Sequence, residues 1–572
     1  MLAYSDDHKR LKALVPIREY MGRLFPPTDQ MIQPLLKHFH ELLDSISVAF
    51  GTTSGTVPIN LITSNYANIQ NILRYGLQRE YHDVADVIYC TCKFNHFSLL
   101  IGRGATTLLA DITTLLPSLG DNRLKAYSIA ELFRSWKNYS NSRPESLIVE
   151  ALNHFKYFDD PDLEGWYYCE HNHNIPTAVQ HGQFALSLAQ SHGNYGRQCD
   201  ALIILGRIET FAGEHAAGRA LAREAQTLAK ISGDVYKEAH GLYYEALCLM
   251  SLGEYQECMA LTIRGRTMLD LCGLSHGGLN YALMEIQGEV HKFKSEYVEA
   301  HNIQNMILQG TANDNQRQVF SLISIAESEV LIGVSKTEIQ KKIEASQVMF
   351  GASRNPVFTT ACDIILADLN LREGDRSSLL FCKCLQFARG KYSEAVSYCL
   401  ERLADINCWE GCYHPTSWPA VFLANSLKAK ERLGTYKGLQ FLGDVFLQEN
   451  EEATSISLFT LALEGFSQMD VHRSRAECMI RLGDISKKHG DLLKALELWE
   501  TARPLFERSS QAKRVQDLDE RLVEIGEDVR EQHTSNVARL TELTAPTGKV
   551  EEADEDLYES KLEEEEAVSV VV

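Results

Sequence analysis

A group of cysteine and histidine residues could bind a metal ion. Cys169, His171 and His173 lie close together, and His181 follows them. A structural zinc site requires paired ligands spaced as C-x2-C and H-x3-H, because four side chains must converge on one tetrahedral ion. The spacing here does not match that pattern. We therefore predict a polar loop at this position, with no metal ligands and no bound cofactor.

Glycine-containing turns are the second candidate for chemistry, because such turns can bind phosphate. A phosphate-binding loop reads G-x-x-x-x-G-K-[ST], and its lysine and hydroxyl hold the nucleotide phosphates and magnesium. That motif is absent from the sequence, and the turn at residues 102–107 lacks the lysine. The serine in residues 51–55 stands one position too late for a nucleophile elbow. We predict that the protein is not an enzyme and does not bind nucleotides, and we assign no catalytic residues.

The amino-acid composition and the net charge argue against some classes of binding partner. The 572 residues are 45% hydrophobic and 23% charged, and the formal net charge is −21. This charge argues against nucleic acid and against an anionic membrane surface, both of which attract clustered lysine and arginine. Fourteen cysteines are scattered, many of them in apolar helical stretches, which is typical of free thiols in a reducing compartment. We expect a cytoplasmic location, no membrane insertion, and a protein or peptide as partner.

A repeat is the strongest pattern in the sequence. A small residue is followed seven positions later by a turn residue, and the pair recurs about every 40 residues. The pairs are Gly206 with Gly213, Ala246 with Gly253, Gly288 with Ser295, Ala326 with Gly333, Ala367 with Gly374, Gly443 with Asn450, and Gly483 with Gly490. The gap between Gly374 and Asn450 spans two periods, which predicts one degenerate repeat near residues 377–435.

Each part of the repeat has a role in helix packing. A small residue in a helix (helix A) lets the next helix approach closely, and the turn residue ends helix A in the left-handed conformation. A second helix (helix B) follows, in which Phe459 and Trp499 occupy equivalent positions nine residues after the turn. This is the tetratricopeptide arrangement, with helices longer by about a turn than in the 34-residue repeat. An irregular helical bundle is the alternative.

The fold class that follows is all-α. We predict an irregular helical N-terminal segment and then a right-handed α-solenoid superhelix of about eight helix pairs, because each pair leaves an apolar face that only the next pair can bury. The predicted boundaries are a linker at residues 1–30, the helical segment at 31–180, the repeat array at 181–530 and a tail at 531–572. Residues 551–572 contain ten acidic residues and one lysine, so we expect an acidic, disordered tail.

Helix A residues next to the small residue are expected to face the concave groove. The candidate partner-binding residues are Arg207, Tyr243, Glu289, Glu327, Asp368, Asp444 and Asp484. Five of them are carboxylates, which predicts an acidic ladder that favours a basic or mixed basic and apolar partner. The alternative is that these carboxylates are solvated or paired with nearby cations such as Lys292 and Lys487.

The segment from Leu442 to Ser509 resembles the C-terminal repeats of fungal STAND proteins, which are large signal-transducing NTPases with long tetratricopeptide arrays. Residues 469–478 carry the strongest likeness. Residues 15–27 resemble the end of the winged-helix part that follows the NTPase module in that family, and residues 65–73 resemble the linker helix after it.

The resemblance implies a ligand sensor or scaffold in STAND-type signalling, without the NTPase module. It leaves open whether the chain is complete or a fragment of a longer protein. A structural adaptor in a constitutive complex is the alternative function, and a cryptic enzyme is the third.

Overall fold

The protein is described here by a computed structural model. The described residues are 3–5, 11–13, 24, 28–78, 84–103, 106–136, 175–311, 315–350, 356–372, 379–389, 393–410 and 417–543. Apart from one short antiparallel pair, β1 (Ala3–Ser5) with β2 (Leu11–Ala13), the regular structure in these ranges is helical. The prediction of an all-α fold is confirmed. The predicted polar loop at residues 169–173, Gly374 and residues 544–572 of the acidic tail lie outside the described ranges.

Within the described ranges, five α-helices precede residue 175. They are α1 (Asp29–Ala49), α2 (Thr56–Gln78), α3 (Val84–Leu100), α4 (Leu108–Leu115) and α5 (Asn122–Trp136). Their apolar side chains share one core cluster with residues 239–283 of the repeat region. The backbone amide of Val235 also donates to the carbonyl of Gly51 over 2.7 Å. The N-terminal helices therefore pack against the early repeats instead of forming a separate core.

The repeat helices alternate along the rest of the chain. After α6 (Ile175–Ser191) they are α7 (Tyr195–Phe211), α8 (His215–Ser232), α9 (Val235–Ser251), α10 (Tyr255–Leu271), α11 (Gly278–Phe293), α12 (Tyr297–Gly310), α13 (Asn315–Ile332), α14 (Lys336–Phe350), α15 (Pro356–Arg372), α16 (Leu379–Ala388), α17 (Ser393–Glu410), α18 (Ser417–Lys428), α19 (Arg432–Gln448), α20 (Glu452–Met469), α21 (His472–Lys488), α22 (Leu492–Arg508) and α23 (Ala512–Leu543). Within the described residues, α7 to α22 form eight A–B pairs, numbered here as repeats one to eight. Helix α23 continues past residue 530, where the sequence pattern placed the end of the array.

The predicted turn residues take the left-handed conformation. Positive φ angles occur at Gly213, Gly253, Ser295, Gly333, Asn450 and Gly490. These are the predicted turn residues that lie in the described ranges, so this part of the repeat prediction is confirmed. Residues 377–435, where the sequence pattern is degenerate, contain the short helices α16 and α18.

Small residues of helix A provide space for aromatic residues of helix B. A Cβ atom added at Gly443 would lie 2.8 Å from Cε1 of Phe459, and one added at Gly483 would lie 2.4 Å from Nε1 of Trp499. Both aromatic side chains are buried. A larger residue at either glycine would force the helices apart, because protein cores are already close-packed. The predicted role of the small residues is confirmed at these positions.

The array curls until its early repeats meet its late repeats. We call this contact the seam; it joins residues 213–215, 253–255, 294–296 and 331 to residues 429–432, 469–472 and 511. The amide of His472 donates to the carbonyl of Lys294 over 3.1 Å, and Lys430 pairs with Glu214 over 2.6 Å. One apolar core cluster contains residues from repeats two, three, seven and eight. The superhelix is therefore stabilised by contacts between its layers as well as between neighbouring repeats.

None of the helices in the described ranges is both long enough and apolar enough to cross a membrane.

Candidate functional site

The A helices carry the candidate site. Most successive A helices contact each other directly, which places them on the inner side of the curved array. Acidic residues on one A helix pair with basic residues on the next. The pairs are Asp200 with Lys237, Glu285 with Arg317, Asp368 with Arg402, Glu401 with Lys437, Asp444 with Arg481, Glu477 with Arg514, and Asp484 with Arg521. We call this set the inter-repeat ladder.

Asp368 is the most enclosed of the five predicted groove carboxylates. Its side chain is 7% exposed and lies 3.0 Å from Nε of Arg402. The hydroxyl of Tyr398 also donates to it. Burial raises the pKa of the Asp368 carboxyl, and the positive charge of Arg402 opposes that shift. Asp368 therefore belongs to an internal ion pair and presents little surface to a partner.

Asp444 and Asp484 mark the late part of the ladder. Asp444 lies 3.0 Å from Nε of Arg481 and is 15% exposed. Asp484 lies 2.7 Å from Nη1 of Arg521, and its side chain is 43% exposed. Burial raises the pKa of both carboxyls, and in each case the paired arginine opposes the shift. Of the two, Asp484 is far more accessible to a partner.

Glu289 and Glu327 are brought together by one lysine. Lys292 lies 2.7 Å from Glu289 and 2.9 Å from Glu327. The lysine side chain is 15% exposed, Glu327 is 19% exposed and Glu289 is 30% exposed. One ammonium thus bridges two carboxylates from neighbouring A helices.

Arg207 and Tyr243 lie at the early end of the array. Burial raises the pKa of the Tyr243 hydroxyl, and the nearby charges of Arg207 and Arg317 lower it. Tyr243 also contacts Tyr244 edge to face, with ring centroids 5.0 Å apart. This end of the inner face is aromatic and cationic, so the predicted groove residues do not form one uniform acidic surface.

The cationic partners of the ladder were missed by the sequence analysis. Lys292 was considered, but Arg402, Arg481 and Arg521 were not. A signal does exist, because hydrogen-bonded ladder partners stand 36 or 37 residues apart along the chain. That distance is slightly shorter than one repeat period. A search for opposite charges at this spacing would have found Arg481 and Arg521.

The cysteines in the described residues do not form a nucleophilic site. Burial raises the pKa of Cys199, Cys362 and Cys384 to about 11 and that of Cys258 and Cys399 to about 12. A thiol with such a pKa stays protonated at neutral pH and is a poor nucleophile. These cysteines act as small core residues.

Neither a protein-family model nor a curated protein matches this sequence. Among solved structures, the chain is similar to a Rap protein crystallised in complex with competence and sporulation factor. The identity is 11%, the TM-score is 0.38, and the match covers 59% of this chain and 99% of that one. It is also similar to a circular tandem repeat protein with novel repeat topology, at 13% identity and a TM-score of 0.13, over 90% of this chain and 100% of that one. TM-scores of this size carry no weight for function.

The helix order, the left-handed turns and the paired small and aromatic residues give this protein a tetratricopeptide-like α-helical repeat fold.

Proposed function

We propose that the protein is a binding scaffold that holds an extended polypeptide along the inner face of its A helices. The observation that carries the proposal is the inter-repeat ladder, which presents alternating charges at the spacing of successive A helices. An extended chain can meet such a surface with side chains placed at regular intervals. The ladder pairs also fix each A helix relative to the next, so the surface is ordered before a partner binds.

The proposed partner is a segment of mixed charge that is basic overall. Three carboxylates of the predicted groove are mostly enclosed by their own cations, but Asp484 and Glu289 keep substantial exposure. The chain as a whole carries a net charge of −21. A cationic segment is therefore attracted to the molecule as a whole and finds exposed carboxylates on the inner face.

In cellular terms, we propose a ligand sensor or scaffold in STAND-type signalling, acting in the cytoplasm. The support for this finer proposal is the sequence resemblance in residues 442–509, together with the repeat architecture. Repeats of this kind recognise proteins by an extended surface and need no catalytic group, which agrees with a role other than that of an enzyme.

Charge reversal at Asp484 tests the proposed surface. A library of extended, fluorescently labelled peptides that vary in net charge is screened by fluorescence anisotropy. We expect the tightest peptides to be basic, and Asp484→Lys to weaken them by about two- to fivefold with a shallower salt dependence, as for an exposed ion pair.

The matched control is Glu500→Lys, which makes the same change at an exposed position of helix α22, a B helix. It should leave peptide affinity unchanged at moderate salt. Equal effects of both variants would indicate general electrostatic attraction and would contradict a site on the inner face. Preference for acidic peptides would contradict the proposed partner.

The protein is also expected neither to bind nor to hydrolyse ATP or GTP. The reason is that the sequence contains no phosphate-binding loop, so the lysine and hydroxyl that would hold the nucleotide phosphates are absent. Isothermal titration calorimetry with magnesium present checks this directly. A micromolar dissociation constant would contradict it and would revive the enzyme alternative.

A further inference from the structure

The seam contains a compact group of histidine and carboxylate side chains that the inner-face proposal does not use. Potential ligand atoms of Glu296, Asp470 and His472 all lie within 4.8 Å of one another. Glu296 stands in the turn of repeat three, whereas Asp470 stands in the turn between repeats seven and eight and His472 is the first residue of α21. A second histidine, His291, places Nδ1 2.6 Å from Oε2 of Glu296. The group therefore joins two layers of the superhelix with two imidazoles and two carboxylates.

His472 is the member whose position calls for a ligand. Its side chain is completely buried, and its Nδ1 atom has no hydrogen-bond partner. Nε2 lies 3.0 Å from Glu296, and Nδ1 lies 3.6 Å from Asp470, so a carboxylate faces each ring nitrogen. A buried imidazole nitrogen without a hydrogen-bond partner, flanked by two carboxylates, offers the donor groups that a transition metal takes.

A positive charge already lies between the two carboxylates. The ammonium of Lys294 is 3.1 Å from Glu296 and 3.1 Å from Asp470. Nitrogen atoms of His291, His472 and Lys294 all lie within 3.1 Å of Glu296 carboxylate oxygens, so this carboxylate already holds a cation at the seam. The lysine side chain is long enough to move toward solvent when another cation takes its place.

We propose that this group is a binding site for a divalent transition metal such as Zn²⁺. Glu296, Asp470 and His472 supply the three ligands, and the hydrogen bond from His291 orients Glu296. One imidazole with two carboxylates forms a nitrogen and oxygen set that suits Zn²⁺, and water takes the fourth position of its usual tetrahedral shell. The ion displaces the ammonium of Lys294. Because the ligands come from residues far apart in the chain, the bound ion fastens the seam.

Calorimetric titration of the full-length protein with ZnCl₂ tests the site. We expect one ion per chain at the seam and a higher midpoint of thermal unfolding in its presence. Asp470→Asn keeps the shape of a half-exposed ligand but removes its charge, and it should lower the affinity at least about tenfold. Lys294→Met removes the competing ammonium and should raise the affinity several-fold. A purely structural ion-pair cluster would not gain metal affinity from that change.

Two controls separate this site from other metal binding. His489 lies 2.6 Å from Glu452 in an exposed pair outside the seam, and His489→Ala should leave the affinity unchanged. With Co²⁺ in place of Zn²⁺, the absorption spectrum should lack thiolate charge-transfer bands, because no cysteine belongs to the site. Unchanged affinity in Asp470→Asn, weaker binding in Lys294→Met, or a thiolate spectrum would each overturn the proposal.

Discussion

Replacing Arg402 by methionine is expected to reduce the free energy of unfolding by about 3–5 kcal/mol, because it leaves Asp368 as a buried charge without its counter-ion. Arg402 lies 3.0 Å from Asp368, and their side chains are 16% and 7% exposed. The pair joins helix α15 of repeat five to helix α17 of repeat six. Urea-induced unfolding followed by circular dichroism measures the loss.

The destabilisation caused by Arg402→Met should be larger at neutral pH than at acidic pH. Burial already raises the pKa of Asp368, and only Arg402 and Tyr398 oppose that shift. Without the arginine, the carboxyl of the folded protein titrates at still higher pH than that of the unfolded chain. The folded state then binds more protons, so the stability of the variant falls as pH rises. The deficit relative to the wild type should therefore shrink when the pH is lowered from neutrality toward the range in which the carboxyl titrates.

Two variants show whether the buried charge is the cause. Arg402→Met combined with Asp368→Asn removes both charges and should recover part of the lost stability. Arg503→Met breaks an exposed pair with Asp519 and should have a far smaller effect. A double variant as unstable as Arg402→Met alone would show that the arginine acts through packing instead of charge.

The features that the sequence predicted correctly are those that repeat locally. Gly213 and Gly253 end their helices in the left-handed conformation because the turn must reverse the chain within a few residues. Trp499 is buried against Gly483 because both lie within a single helix pair. Such contacts join residues close in sequence, and the same side chains recur in each period. A periodic pattern therefore carries enough information to place them.

The seam could not be predicted in the same way. Contacts such as that of Glu296 with His472 join residues 176 positions apart. They depend on the small rotation that accumulates from each repeat to the next, and no single repeat encodes that rotation. The buried His472 gave no signal, because none of the other A helices in the described ranges begins with a histidine.

The inner-face residues could be predicted from the sequence only in part. The spacing placed Asp444 and Asp484 on equivalent positions of their A helices, and both have ladder partners on the following A helix. The pattern of carboxylates alone did not show how strongly a neighbouring cation neutralises each of them. Asp444 is 15% exposed and Asp484 is 43% exposed, a difference that arises from tertiary packing around otherwise similar ion pairs. Their assignment to partner binding stays a prediction.

Replacing Gly253 by valine is expected to separate the layers of the superhelix at the seam. Gly253 has a φ angle of +73°, and a Cβ atom added there would lie 2.5 Å from Sδ of Met469, which is buried in the opposite layer. The left-handed backbone costs about 1–2 kcal/mol for a residue with a side chain. Overpacking against Met469 adds about 1–3 kcal/mol. Separating the two layers removes the overpacking against Met469, so we expect the layers to move apart.

Gly490 provides the matched control, because it ends a helix A with a φ angle of +81° and has no atom within 4 Å of an added Cβ. Gly490→Val should therefore show the backbone cost alone. Small-angle X-ray scattering should give a larger radius of gyration for Gly253→Val and no change for Gly490→Val. Hydrogen exchange should show the amide of His472, which donates to Lys294 across the seam, losing protection only in Gly253→Val. Equal expansion in both variants would mean that turn strain, and not contact between layers, sets the curvature. An unchanged radius with full protection in Gly253→Val would mean that Met469 moves aside and the seam holds without it.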